Sequence, residues 1–239
     1  DVFDARNPGM AGATTGESGG AKSNGAKADS GREQSAFPGG FDVILGNPPW
    51  EQINLMEKEF FAGKAPGIAN ASGRQRKKLI RELQETNPEL YLSYQKALHY
   101  SEALSDYLSN SGRYPLSASG RVNTYQIFAD VVRQTMAYSG RVGVIVQSGI
   151  ATDYYNQDFF ADILDKNQLV SFYDFVNEEG IFPGIHRTHP HFCLLTLAGS
   201  KMQVDQFELA FWCTNPDHLS EEGRRFSLTL AEIERINPN

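Results

Sequence analysis

The chain is 239 residues long, 40% of them hydrophobic, with a formal net charge of −7 at pH 7. That length suits one to two domains with a real core, and the acidic balance excludes a generic basic nucleic-acid coat while leaving room for a local basic rim. No apolar run reaches roughly 18 residues and no basic segment leads into one, so the sequence predicts a cytoplasmic protein without a membrane span or signal peptide.

Residues 9–40 are dominated by Gly, Ala, Ser and Thr, with almost no apolar content before Phe37, and read as a flexible low-complexity insert. Within them Gly16 to Ser23 comes close to a phosphate-binding loop, but Ala21 stands where the second glycine belongs. No strand precedes it and no apolar helix follows, so the phosphate-cradle reading is rejected. The next segment, Phe41-Asp42-Val43-Ile44-Leu45-Gly46, reads as a buried strand of a parallel sheet. Open α/β sheets bind ligands outside the carboxyl ends of such strands, which is where Asn47-Pro48-Pro49-Trp50 stands.

Those four residues suit methyl transfer to an exocyclic or amide nitrogen. Such a nitrogen is a poor nucleophile because its lone pair is delocalised. An Asn side-chain oxygen and a backbone carbonyl, each accepting one N–H, favour the pyramidal geometry that frees the lone pair. Proline fixes φ and carries no N–H, so the Pro48 carbonyl can be aimed from a stiff turn. Trp50 offers a π-face on which a base swung out of a duplex can stack, an interaction worth roughly 1–3 kcal/mol. The competing reading is a Pro-rich turn with Trp50 as a core anchor.

From Glu51 to Ser111 the pattern is helical, with apolar residues at Leu79, Leu83, Leu90, Tyr94, Leu98, Leu104 and Leu108, and with Pro88 opening a new helix behind Asn87. Arg74, Lys77, Lys78 and Arg81 share one helix face, open to two readings: DNA-phosphate contact or a solvated face. Asn123 and Gln126 have capping-box spacing, which predicts a helix from Thr124. A strand is expected around Val142–Val146, followed by a helix from about Gln157 to Leu164. This alternation is that of a parallel doubly wound α/β sheet. Phe182 to Leu197 and Gln203 to Trp212 suit an antiparallel hairpin at the sheet edge. His186, His189 and His191 have no carboxylate near in sequence, so no metal site is expected. Cys193 and Cys213 lack metal-ligand spacing and read as reduced and structural. Neither follows a proline, which rules out a cytosine-C5 thiolate mechanism.

The tetrapeptide resembles motif IV of S-adenosylmethionine-dependent amino-methyltransferases, and the wider pattern is similar to gamma-class DNA adenine-N6 methyltransferases of the large restriction-modification and phage-defence type. Gly120-Arg121-Val122-Asn123-Thr124-Tyr125 resembles motif V, Gly140–Val146 and Leu169–Phe175 look like the family's next two strands, and Gly180-Ile181-Phe182-Pro183-Gly184 with Phe192 to Leu197 resembles motif VIII. Asp1-Val2-Phe3 resembles the end of motif III. The resemblance implies the carboxyl-side part of a class I, Rossmann-like methyltransferase sheet with a large helical insertion. The implied division is 1–8 as the end of a cofactor-binding half, 9–40 as the insert, 41–200 as the catalytic half with the insertion at about 51–118, and 201–239 as a downstream segment. It further implies S-adenosylmethionine as cofactor, with Asp1, Asn47 and Asn123 in contact with it, although Asn123 reads first as a helix cap. Asn47, Pro48, Pro49 and Trp50 are the implied catalytic residues, with Trp50 and Phe182 on opposite faces of the base. Double-stranded DNA and other defence-system subunits are the implied partners. The family's Gly-rich cofactor turn is absent, so the chain is expected to be a piece that binds cofactor weakly and is inactive alone. Alternatives are methylation of cytosine N4, RNA or a protein glutamine, and a non-catalytic nucleic-acid-binding remnant.

Overall fold

In a computed structural model, residues 39–183 and 191–236 are described. Their strands are β1 (Phe41–Gly46), β2 (Met136–Gln147), β3 (Leu169–Phe175), β4 (Phe192–Ala198), β5 (Phe207–Cys213) and β6 (Phe226–Leu228). The helices are α1 (Glu57–Ala62), α2 (Pro66–Ala69), α3 (Gly73–Thr86), α4 (Pro88–Asn110), α5 (Thr124–Thr135), α6 (Gly149–Thr152), α7 (Gln157–Asp165) and α8 (Leu230–Ile236). The strands form one six-stranded sheet in the order β1-β2-β4-β3-β5-β6.

Side chains alternate across a strand, and β2 shows why this sheet needs cover on both faces. Val142, Val144 and Val146 join Leu195, Leu197 and Phe172 beneath Tyr125 and Ala129 of α5 and Phe159 and Ile163 of α7. On the other side Ile145, Leu194, Phe175 and Phe192 meet Trp50 and Phe182. Each fully buried aliphatic or aromatic side chain contributes about 1.5–3 kcal/mol, so these layers carry the fold. Arg133 of α5 adds a buried tie. Its guanidinium donates to Gln168 Oε1 at 2.9 and 2.7 Å and pairs with Asp162 of α7. Burial works against the Asp162 carboxylate, but hydrogen bonds from Lys166 and Arg133 outweigh it and hold the group below its ordinary range.

The helices α1–α4 gather around Phe61, Ile68, Ile80, Leu83 and Tyr94. Asn87 accepts from the Leu90 amide at 3.1 Å and Pro88 takes the first helical position of α4, so the expected helix start is found. Among the described residues no helix is long and apolar enough to cross a membrane.

Three expectations are corrected. The antiparallel part of the sheet is not confined to an edge hairpin: β1/β2 and β3/β5 are parallel pairs, whereas β4 is antiparallel to both of its neighbours and β6 to β5. The β4–β5 hairpin does not form. Phe192, Cys193, Leu195, Leu197 and Ala198 are all buried, so β4 has apolar residues on both faces and takes an interior place between β2 and β3. The chain then passes the start of β3, where the Val204 amide donates to Asn167 O at 3.1 Å, and β5 pairs with β3 instead. The third correction concerns β1. It pairs in parallel with β2 as expected, but Phe41, Val43 and Leu45 are 65%, 64% and 79% exposed, since β1 is the outer strand among the described residues and only Ile44 reaches the core.

Candidate active site

The Asn-Pro-Pro-Trp turn leaves the carboxyl end of β1 and is at once fastened to the start of α5. Asn123 builds that start. Its side chain accepts from the Tyr125 amide at 3.3 Å, and its own amide donates to Gln126 Oε1 at 2.6 Å, completing the capping box. Thr124 then presents a hydroxyl that donates to Pro49 O at 2.6 Å and accepts from the Glu51 amide at 2.9 Å. Backbone bonds from Thr124 N to Glu51 O at 2.9 Å and from Ile53 N to Val122 O at 3.2 Å lock the two segments side by side. Gly120, just upstream, has φ +66°, and a Cβ there would lie 2.1 Å from the Tyr155 ring, so both backbone and space require glycine.

The turn is thus stiff for two reasons, its rings and its clamp, and its acceptors divide cleanly. The Pro49 carbonyl is consumed by Thr124. Asn47 is exposed and Pro48 half-buried, and among the described residues neither the Asn47 amide nor the Pro48 carbonyl has a hydrogen-bond partner. These two groups are what the turn can offer to an incoming amine.

Trp50 is half-buried. Its indole N–H donates to Ile145 O at 3.3 Å, just past Val144, the last β2 residue paired with β1. Its ring stacks on Phe192 with centroids 6.4 Å apart and meets Phe182 edge to face at 6.3 Å and 74°. Phe182 is itself held by Asn177, which donates to Phe182 O at 3.0 Å and accepts from Phe182 N at 2.8 Å. The two expected stacking residues therefore come together, touching rather than flanking a parallel slot.

Of the expected cofactor contacts, Asp1 lies outside the described residues, and the Asn123 side-chain oxygen is spent on its cap. Asn47 is described and lies exposed directly after β1. Arg74, Lys77, Lys78 and Arg81 are all exposed on α3, with Lys78 3.6 Å from Glu82, while Arg76 between them turns inward onto the Ile68, Ala69 and Ala71 carbonyls. His186 and His189 lie outside the described residues, and among the described ones no group of His, Cys, Asp or Glu is placed to hold a metal. Burial pushes the Cys193 thiol well above its ordinary pKa, which suppresses the thiolate. Sequence reasoning missed Thr124 and Asn177 as site residues. A polar residue directly after an apolar strand, as Asn177 follows Phe175-Val176, is the signal that marks the second.

A strand-end turn with two outward acceptors, clamped to a capped helix and backed by aromatic rings, stands at the edge of the sheet of this α/β protein. Residues 17–182 match the model of the Eco57I restriction-modification methylase family, and the chain belongs to that family. No curated protein matches it. Among solved structures it is similar to a modification subunit assigned to a type I restriction enzyme from Vibrio vulnificus YJ016, at 12% identity and TM-score 0.41 over 80% of this chain and 34% of that one. The type IIG restriction endonuclease BpuSI is similar at 12% identity and TM-score 0.43, with 81% and 20% covered. A DrdV–DNA complex follows at 12% and 0.37, with 76% and 15% covered. The chain thus spans about a third or less of the length of each of these structures.

Proposed function

We propose that this chain carries the base-gripping part of a DNA methyltransferase that methylates the exocyclic N6 of an adenine flipped out of double-stranded DNA, in restriction-modification or phage defence. The observation that carries the reading is the division of acceptors in the turn. With Pro49 O tied to Thr124, Asn47 Oδ1 and Pro48 O are the pair that accepts the two N–H groups of the amine. Drawing on both N–H bonds pyramidalises the nitrogen and frees its lone pair, which forms the new C–N bond while the surplus proton passes to water. S-adenosylmethionine, when bound, would supply the methyl group, its methyl–sulfur bond breaking and the electron pair staying on sulfur as S-adenosylhomocysteine leaves. Asn47 sits at the carboxyl end of β1, where such a ligand would lie.

Trp50 presents a face for the base, and Phe182 turns out of its edge-on contact to close on the opposite face. Asn177 sets the pivot. The α3 row of Arg74, Lys77, Lys78 and Arg81 contacts phosphates, where it acts as a local basic rim on an acidic chain. In this reading residues 41–200 form the catalytic half with 51–118 as an insertion, and 201–239 open a further segment. Other defence-system subunits are partners of the whole assembly.

The test is Asn47→Ala in the intact protein, assayed for methyl incorporation into DNA. An exposed acceptor used mainly in the transition state predicts a loss of about 10²–10³-fold in turnover with the fold retained. Near-normal turnover would remove the proposed grip.

A further inference from the structure

A second constructed site lies where β2, β3 and β5 end, in a cavity of about 410 Å³ that neither the tetrapeptide nor Thr124 nor Phe182 lines. Its floor is Asp174, 5% exposed, which accepts from the Ser148 hydroxyl at 2.5 Å and from the Trp212 amide at 3.2 Å, with His191 Nδ1 at 3.3 Å from both carboxylate oxygens. A bulge explains the Trp212 contact. Tyr173 pairs with Ala210 and Phe175 with Cys213, so Phe211 and Trp212 together stand opposite Asp174. Trp212 consequently sits at φ +58°, a left-handed conformation that an aromatic residue adopts only under constraint, and is 66% exposed.

Ser, His and Asp in one place suggest nucleophilic catalysis, but the order is wrong. Ser148 is buried and donates to the carboxylate rather than to His191, so the Ser–His–Asp order that activates a serine through an imidazole is not made. What remains is a recognition surface. Among the described residues its lining includes two carboxylates, Asp174 below and the exposed Asp153 beside it, and the faces of Phe211 and Trp212, but neither lysine nor arginine. Asp174 has about four acceptor positions, of which Ser148, Trp212 and His191 address three. An anion meets repulsion here. A cation meets aromatic faces together with carboxylates, the combination that binds organic cations by cation–π attraction and ion pairing.

We propose that this cavity binds a flat organic cation, a guanidinium group, stacked on Trp212 and paired with Asp153 and Asp174. The same chemistry can arrive as a free small molecule or as an arginine side chain of a polypeptide. It is independent of the methyl-transfer reading, since the two share no residue.

The experiment is fluorine NMR of the chain labelled with 5-fluorotryptophan, whose two signals, Trp50 and Trp212, are assigned with Trp212→Phe. Butylguanidinium is titrated against its uncharged isostere butylurea. The proposal predicts a saturable shift of the Trp212 signal with Trp50 unmoved, binding about tenfold tighter for the guanidinium than for the urea, and a weakening of several-fold in Asp153→Asn. A Gly-Arg-Gly peptide that binds tighter than butylguanidinium assigns the cation to a polypeptide, and one that binds no tighter assigns it to a free ligand. Equal binding of the two isosteres, no saturable shift, or movement of Trp50 instead of Trp212 would overturn the proposal.

Discussion

The two tryptophans of this chain are held in opposite ways. Trp50 is fixed through its side chain, by the indole N–H on Ile145 and by packing on Phe192, while Trp212 is fixed through its backbone, by a buried carboxylate that accepts its amide. The first arrangement makes the ring part of the sheet's aromatic layer, and the second holds out a largely exposed ring that meets His191 edge to face. The lesson extends to the polar groups around them. Asp174 is a buried anchor that accepts from Ser148 and Trp212 and lies beside His191, and Asn47 is an exposed acceptor that, like the Pro48 carbonyl, has no partner among the described residues.

The largest effect that would break this contrast is on stability at the anchor. Asp174→Ala leaves the Ser148 hydroxyl and the Trp212 amide without their acceptor and is expected to cost about 2–4 kcal/mol in denaturant unfolding. If Asn47→Ala costs as much, the division into anchor and exposed acceptor is wrong. Trp50→Ala comes next, at on the order of 2 kcal/mol, below the range for a fully buried ring because the indole is half-exposed. It also removes the proposed stacking face, so 2-aminopurine fluorescence in a target duplex should show weakened base capture. Unchanged flipping would leave Trp50 as a core anchor alone.

The smallest effect sharpens the contrast with a third polar site, the Arg133–Asp162 tie. Asp162 has a folded pKa below its ordinary 3.8, so its contribution is complete above that value and is lost as pH falls through the lowered folded value. Its side chain is 25% exposed, which places the pair nearer 1–2 kcal/mol than the roughly 3–5 kcal/mol of a fully buried one. Asp162→Asn should therefore lower the melting temperature at neutral pH, with the difference from the parent shrinking below about pH 4. A difference that grows on acidification would reverse the sign assigned to this group.

Much of this was legible in sequence where the signal is local. Gly46 closes β1, Leu169 to Phe175 is β3 in full, and the Asn123–Gln126 box starts α5 at Thr124, because each depends on residues within a turn or a strand of one another. What escaped is non-local. Nothing within β4 states that it pairs with β2 and β3 rather than with β5; its two-sided burial does so only once the neighbours are placed. The Thr124–Pro49 bond joins residues 75 apart, and the Asp174–Trp212 bond residues 38 apart, so neither clamp leaves a spacing to read. The exposed row of β1 escaped for a related reason: Phe41, Val43 and Leu45 have the composition of a buried strand, and composition is silent on what covers it.

The measurement that bears most directly on the central claim is the identity of the modified base. DNA methylated by the intact protein, digested to nucleosides and resolved by mass spectrometry, should contain N6-methyldeoxyadenosine, and the signal should disappear with Asn47→Ala. N4-methyldeoxycytidine in its place, or N6-methyldeoxyadenosine undiminished in the Asn47→Ala protein, would contradict the account.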